Sequence, residues 1–430
     1  MTSADANPKA TRRGFLGATA GLAALTGLSA APGAARALEG AEAAPAASTV
    51  TPFWGEHQAG VTTPQQAHTY LAAFDLVTTK RADVETLLRR WTDAAAAMSE
   101  GRLVEIPGDG DPETRTDPSD VLGLSPERLS ITFGFGLGLF EKKGVDRYGL
   151  KARRPAGFTD LPHFPGDQFV PDRTGGDLLI QACAENPQIA FHAARQLARI
   201  AYGVAEIRWV QSGFVSDFGP GKTPRNLMGF KDGTGNPPVH DEKQMDALVW
   251  VGDEAPDWMR GGTYMVVRRA RIALEHWDRM KVSFQEQTFG RQKLSGAPLG
   301  GKDEFDPVNL EAKDANGDPL IPENAHVRLA RQMSLEGTKI LRRSYSYNDG
   351  ANLTAERWPP WKQGMEFDAG LIFICHQRDF AKGFVKINDK LSRFDMMNQF
   401  VTNVGGGHFA VPRGAAKGEY IGQKLFEAAS

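Results

Sequence analysis

The feature that most constrains the fold is an order of strands and helices that occurs twice. Alternating or short apolar runs predict strands, and apolar residues at helical spacing predict helices. The first half contains a strand at 69–77, a helix at 81–99, strands at 129–135 and around Cys183, a helix at 187–202 and a strand at 207–214. The second half contains a strand at 263–272, a short helix from Leu274, strands at 339–347 and 371–376, and a helix at 379–388. This order predicts an α+β protein with two ferredoxin-like halves.

Length, charge and cysteine content limit the class of protein. With 430 residues, 41% of them hydrophobic, the chain can bury a large core and form two domains. The formal net charge of -2 offers no basic surface, so nucleic acid is not an expected partner. Two cysteines are too few for a disulfide framework, and each lies in an apolar run. We therefore predict that Cys183 and Cys375 are buried free thiols on strands.

Residues 1–50 resemble an export signal followed by a disordered linker. The sequence Thr-Arg-Arg-Gly-Phe-Leu at 11–16 is a twin-arginine signature, and the apolar run 17–31 is too short for a transmembrane helix. Ala-Arg-Ala at 35–37 offers a cleavage site before a linker rich in Ala and Pro. The twin-arginine translocation machinery is therefore an expected partner. The expected location is periplasmic, extracellular or on the cell surface.

One stretch places a single carboxylate in a run of glycines: Gly229-Phe230-Lys231-Asp232-Gly233-Thr234-Gly235-Asn236-Pro237. Glycines let the backbone approach a flat or bulky ligand where a side chain would block it. An isolated Asp-Gly pair is most often a surface turn, which is the alternative interpretation.

The first five residues of this stretch match the GxxDG motif of the dye-decolourising (DyP-type) haem peroxidases. Its Thr-Gly-Asn-Pro tail resembles their exported, deferrochelatase-like branch. The resemblance runs from about Gly60 to the C-terminal end and is weakest at 290–322. It implies a dimeric α+β barrel with haem in the C-terminal half. The expected domains are 51–220 and 221–430.

The resemblance also implies an axial histidine, and spacing alone does not choose among the nine histidines. Asn-Ala-His-Val-Arg-Leu-Ala at 324–330 resembles the family's proximal segment, which makes His326 the expected ligand of the haem iron. A carboxylate on the other ring nitrogen would raise its basicity. Asp395 is the candidate for this partner, and an exposed helix carboxylate is the alternative. Without a c-type attachment motif, the expected cofactor is non-covalent haem b.

Asp232 then takes the distal position, where it would move a proton between the two oxygens of hydrogen peroxide. On the predicted strand at 339–347, alternation sends Arg342 and Ser344 to one face and Arg343 to the other. The family motif aligns its catalytic arginine with Arg342, and Arg343 is the alternative. An arginine stays charged at any working pH and can bind both peroxide and a haem propionate.

The resemblance implies further contacts with the cofactor from the Asp232 loop, the segment after His326 and the strand at 371–376. Together with His326 and Arg342, the expected cofactor-binding residues are Gly233, Thr234, Gly235, Arg331, Gln332, Met333, Leu371 and Phe373.

The function expected from the resemblance is reduction of hydrogen peroxide with oxidation of phenols, dyes or other one-electron donors. Trp358, Trp361 and Tyr345 are candidates for relaying electrons from bulky donors at the surface. The alternative is a ferrous-iron oxidase or a haem deferrochelatase that works with an iron permease or another metal protein. A non-enzymatic haem carrier is less favoured, because it needs neither Asp232 nor Arg342. Assembly into a homo-oligomer is left open.

Overall fold

The structure is a computed structural model that describes residues 49–108, 111–216, 219, 222–355 and 363–427. The predicted twin-arginine signature and cleavage site lie outside the described residues, as do Trp358 and Trp361.

The described residues form nine strands and ten α-helices, several of which are single turns. The strands are β1 His68–Leu76, β2 Ser130–Phe135, β3 Leu178–Ala184, β4 Ala205–Phe214, β5 Thr263–Ile272, β6 Leu341–Arg342, β7 Tyr345–Ala355, β8 Gln363–Gln377 and β9 Val401–Val411. The helices are α1 Arg81–Ser99, α2 Pro112–Arg115, α3 Leu137–Phe140, α4 Pro187–Ile200, α5 Glu242–Leu248, α6 Leu274–Trp277, α7 Val282–Phe289, α8 His326–Leu335, α9 Lys386–Phe394 and α10 Gln423–Phe426.

The strands form a closed antiparallel barrel. Their order is β5-β9-β2-β3-β1-β4-β7-β8, and a pairing of β5 with β8 closes the ring. Within the first half the order is β4-β1-β3-β2, and within the second it is β9-β5-β8-β7. When the two-residue strand β6, which pairs with β8, is left out and each half is numbered separately, both halves have strand order 4-1-3-2. The prediction of two ferredoxin-like halves is confirmed.

Local sequence explains the helices that cover the first half. Helix α4 begins where the Asn186 side chain accepts a hydrogen bond from the Gln188 backbone N–H at 2.8 Å, with Pro187 at the first helical position. In α1, Val84, Leu87, Leu88, Trp91 and other residues on the same face are buried against the sheet.

The second half departs from the prediction in the strands and helix next to the site. The predicted strand at 339–347 is two strands, because the pairing with β8 is interrupted between Arg342 and Tyr345. The strand predicted at 371–376 extends from Gln363 to Gln377. The predicted helix at 379–388 begins instead as a π-helical turn at Ala381–Val385, which α9 continues.

Both cysteines are buried and free, Cys183 on β3 and Cys375 on β8, as predicted. Among the described residues, no helix combines the length and apolar character needed to cross a membrane.

Candidate active site

The loop that carries Asp232 depends on its glycines. Gly229 and Gly233 have φ angles of +86° and +126°, in the region that residues with a side chain rarely adopt. The Asp232 backbone N–H donates to the Pro224 carbonyl at 2.9 Å, which fixes the loop against the segment before it. The carboxylate therefore projects from a tight, hydrogen-bonded turn.

Asp232 faces an arginine at the end of β6. Arg342 Nη1 donates to Asp232 Oδ1 at 3.1 Å. Asn236 holds the backbone of that arginine with two hydrogen bonds. Its Nδ2 donates to the Arg342 carbonyl at 2.7 Å, and the Arg342 N–H donates to its Oδ1 at 3.2 Å. One loop thus supplies the carboxylate and also positions its cationic partner.

Asp232 and Arg342 line a cavity of about 250 Å³. Their side chains are 20% and 27% exposed, so both groups are accessible to a small molecule. Ser344 and Leu371 line the same cavity. The predicted alternation is observed here, with Arg342 and Ser344 on one side.

Arg343 points the other way and is only 4% exposed. Its guanidinium donates to the Thr63 carbonyl at 2.5 Å and to the side-chain oxygen of Gln66. Both of its terminal nitrogens therefore bind residues of the first half, away from Asp232.

A second acid–base pair lies at the start of α8. His326 Nδ1 and Asp395 Oδ2 are 2.5 Å apart. Asp395 lies at the end of α9, is 6% exposed, and also accepts a hydrogen bond from the Met397 backbone N–H at 2.8 Å. The expected partnership is therefore observed, and the alternative of an exposed helix carboxylate is wrong.

The environment of His326 makes its imidazole basic. Burial on its own would lower the pKa of His326, but the Asp395 carboxylate outweighs this and raises that pKa. The ring is 33% exposed although it lies deep in the protein, so open space adjoins it. With Nδ1 bound to Asp395, its Nε2 has no hydrogen-bond partner among the described residues.

Electrostatics and packing connect the two pairs. The charges of Arg342 and Asp232 both act on the His326 ring. Phe230, from the Asp232 loop, stacks on Phe289 with centroids 3.9 Å apart, and Phe289 lies 6.3 Å from the His326 ring.

The predicted cofactor contacts are placed unevenly. On β8, exposure alternates along the strand. Leu371 and Phe373 are partly exposed, whereas Ile372 and Ile374 are fully buried. This alternation puts the first two on the face that carries Arg342. On α8, Met333 is buried, Gln332 accepts a hydrogen bond from Lys390 at 3.0 Å, and Arg331 is exposed. In the Asp232 loop, Gly233 lines the cavity, Gly235 is exposed, and the Thr234 hydroxyl donates to Glu304 at 2.8 Å.

These residues fit a haem. A free imidazole nitrogen beside open space, apolar side chains from β8 and a carboxylate–guanidinium pair are the groups that a haem peroxidase requires. The α+β barrel, together with the His326–Asp395 and Asp232–Arg342 pairs, therefore indicates a haem peroxidase.

Comparison with known proteins supports the same class of protein. Two family models match the chain, described as Dyp-type peroxidase, N-terminal, over residues 58–215 and Dyp-type peroxidase, C-terminal, over residues 223–416. The chain belongs to the DyP-type peroxidase family and is a haem-dependent peroxidase.

Among curated proteins, the deferrochelatase of Shigella flexneri serotype 5b (strain 8401) is 36% identical over 387 residues, 87% of this chain and 87% of that protein. The deferrochelatase of Escherichia coli (strain K12) is 36% identical over 385 residues, 87% of this chain and 86% of that protein.

Solved structures show the same likeness. DtpA from Streptomyces lividans has a TM-score of 0.78 and 38% identity, covering 88% of this chain and 98% of that chain. A DyP-type peroxidase from Cellulomonas bogoriensis has a TM-score of 0.76 and 39% identity, covering 88% and 98%.

Sequence reasoning missed two residues that organise the Asp232 loop. Asn236 belongs to the recognised motif but had no assigned role, although it holds Arg342. Glu304 belongs to the segment where the resemblance is weakest, and no local pattern around it indicates a contact some 70 positions earlier. The expectation that Tyr345 relays electrons at the surface is also wrong, because its side chain is 1% exposed.

Proposed function

We propose that haem b binds non-covalently beside the two pairs, where His326 Nε2 would hold its iron and Asp232 and Arg342 would act on hydrogen peroxide. The observation that carries this proposal is the presence of two partly exposed acid–base pairs, His326–Asp395 and Asp232–Arg342, close enough for the charges of Asp232 and Arg342 to act on the His326 ring. Gly233, Gly235, Leu371, Phe373 and the α8 residues after His326 are the proposed contacts around the ring.

When bound, the haem supplies the redox chemistry. The residues of the chain position hydrogen peroxide and transfer its protons. Asp232 accepts a proton from one oxygen of hydrogen peroxide and returns it to the departing one. Arg342 offers a fixed positive charge to the negative charge that develops as the oxygen–oxygen bond breaks. Asp395 accepts the Nδ1 proton of His326 in a hydrogen bond, which orients the ring and increases its donor strength.

The proposed electron donors are phenols, dyes and other one-electron donors. A first test is the Soret band of the purified protein, followed by stopped-flow mixing with hydrogen peroxide and then a phenolic dye. A rapid spectral change that the dye reverses is expected. A protein that binds haem but leaves peroxide unchanged would contradict the peroxidase assignment of this cavity.

A second candidate activity uses the same cavity. The curated relatives at 36% identity are named deferrochelatases, which favours removal of iron from haem as an activity in iron uptake. Incubating the protein with haem and a reductant separates the two activities. Free ferrous iron and the absorbance of metal-free porphyrin would support the deferrochelatase, and their absence beside fast peroxide turnover would exclude it. An iron permease is a proposed partner only if the deferrochelatase activity is found.

We also propose export by the twin-arginine route to the periplasm, the cell surface or the medium, supported by Arg12-Arg13 and the apolar run that follows. Replacing both arginines with lysine is expected to leave folded precursor in the cytoplasm, measured by fractionation. Continued export would contradict the assignment.

A further inference from the structure

Glu304 is a buried carboxylate beside the Asp232 loop that the proposed chemistry does not use. It belongs to the loop between α7 and α8 and is 7% exposed. It accepts hydrogen bonds from two side chains: the ammonium group of Lys231 and the hydroxyl of Thr234 at 2.8 Å. Both of its oxygens are used, since Lys231 binds Oε2 and Thr234 binds Oε1.

Both donors flank Asp232 in its loop. Lys231 precedes it and Thr234 follows two positions later, while the Asp232 N–H donates to the Pro224 carbonyl. A single carboxylate thus connects both sides of the turn to the neighbouring segment. Asn236 holds the backbone of Arg342, and Glu304 holds the loop that carries Asp232, the partner of Arg342.

The loop that carries Glu304 is itself firmly held. Arg291 donates to the Glu304 carbonyl at 2.9 Å and to the Gly296 carbonyl at 2.7 Å. Arg328, on α8, donates to the Ile321 carbonyl at 2.9 Å and to the Leu310 carbonyl at 2.6 Å. The loop that carries Glu304 is therefore also hydrogen-bonded to the helix that begins with His326.

We propose that Glu304 is a positioning residue for Asp232, which holds the carboxylate toward Arg342 and the cavity through Lys231 and Thr234. This inference rests on the proposed role of Asp232 in the peroxide reaction. Glu304 touches neither peroxide nor haem in this role, so its loss acts only through the geometry of Asp232.

The charge of Glu304 matters as well as its shape. Burial opposes ionisation of Glu304, but Lys231 and the hydroxyls of Thr223 and Thr234 outweigh it and lower the pKa of this carboxyl. Glu304→Gln keeps the size of the side chain and removes its charge. The Lys231 ammonium then loses its counterion and is expected to reorient, taking the loop with it.

The test compares Glu304→Gln with Asp232→Ala and with the double variant. Misplacing a reacting group by about 1 Å through a change away from the reacting atoms can cost about 100-fold in rate, so a loss of about 10- to 100-fold is reasonable for this variant. We expect a loss in that range in the second-order rate of the reaction with hydrogen peroxide. Because Glu304 acts through Asp232, adding Glu304→Gln to Asp232→Ala is expected to cost nothing further. Glu311→Gln, an exposed substitution in the same loop, is the matched control.

Two measurements besides the rate separate positioning from a merely structural role. Haem occupancy from the Soret band is expected to match that of Glu311→Gln. A crystal structure of Glu304→Gln is expected to show the Asp232–Arg342 contact lengthened from 3.1 Å.

The inference is overturned if Glu304→Gln reacts at the wild-type rate, if it slows the Asp232→Ala protein further, or if rate and haem occupancy fall together. If Asp232→Ala itself reacts at the wild-type rate, the proposed role of Asp232 fails first. The two failures are therefore distinguishable.

Discussion

The strands next to the cavity have a cavity face and a barrel-interior face. Arginines occur on both faces but have different roles on each. Arg342 faces the cavity, is 27% exposed at its side chain and pairs with Asp232. Arg343, the next residue, faces the barrel interior, is 4% exposed and binds Gln66 and the Thr63 carbonyl. On the paired strand β8, Ile372 and Ile374 are fully buried.

The histidines show the same contrast. His326 adjoins open space and has a carboxylate partner that raises its pKa. His376, on the barrel-interior face of β8, is 0% exposed, and neither ring nitrogen has a hydrogen-bond partner in the described part of the chain. Burial lowers the pKa of His376 to about 3.

What distinguishes the two faces is access combined with a charged partner. A group that must exchange protons or bind a ligand needs both, whereas a group that is only buried is held in its neutral form. Substitutions on the cavity face are therefore expected to change ligand binding and reaction rate. Substitutions on the interior face are expected to change stability.

The largest expected effect is the loss of haem from His326→Ala, because this change removes the proposed bond to iron. The Soret absorbance per protein after gel filtration is expected to fall to a small fraction of the wild-type value. The exposed histidine variant His240→Ala is the matched control and is expected to retain haem. Full Soret absorbance with an unchanged axial-ligand signal in His326→Ala would show that another residue binds the iron.

Next in size are the two distal substitutions, measured at equal haem occupancy. Asp232→Ala is expected to lower the second-order rate with hydrogen peroxide by about 10²- to 10⁴-fold, the usual contribution of a general acid–base group. Arg342→Leu is expected to lower it by about 10²- to 10³-fold, the usual contribution of a fixed charge facing developing negative charge. A wild-type rate in either variant would remove that residue from the reaction.

Arg343→Leu tests the opposite face of the same strand. Its loss leaves the Thr63 carbonyl and Gln66 without a donor, and each unsatisfied buried group costs about 1–3 kcal/mol. We expect the free energy of unfolding in urea to fall by at least that amount, while the haem-loaded protein keeps its rate with peroxide. A slowed reaction without lost stability would show that Arg343, and not Arg342, serves the cavity.

Much of the fold could be predicted from the sequence because its signals are local. Periodicity in α1 and alternation in the strands reflect which face of each element is buried. The same alternation predicts that Arg342 and Arg343 lie on opposite faces of their strand, as they do. Motif resemblance supplied Asp232 and His326, which the structure pairs with Arg342 and Asp395.

The remainder could not be predicted because it depends on contacts distant in sequence. Closure of the barrel requires β5 to pair with both β8 and β9, which no local pattern reveals. Glu304 reaches Lys231 from a loop with no regular structure. The interruption between β6 and β7 likewise falls in a continuous strand-like sequence, where Arg343 turns inward to the first half.

The remaining prediction concerns a gradual effect, the pH dependence of stability. Because the pKa of folded His376 lies at about 3, below the ordinary 6.5, the unfolded chain binds more protons between these two values. The stability of the wild-type protein therefore falls as the pH decreases from about 6.5 toward 3, by at most about 1.4 kcal/mol per pH unit from this residue. Above that window His376 contributes no pH dependence.

His376→Leu removes this contribution without a large change in volume, since its neighbours across the strands, Met265 and Leu341, belong to the apolar interior of the barrel. Urea unfolding of the haem-free protein between pH 7 and pH 4 is expected to show a shallower decline for this variant than for wild type. His408 is also buried with its pKa lowered to about 3, so a second share of the decline remains in both proteins. His240→Leu reports the effect of losing an exposed histidine. Parallel curves for wild type and His376→Leu would mean that the interior face takes up protons as readily as the cavity face, and the contrast between the two faces would then rest on the arginines alone.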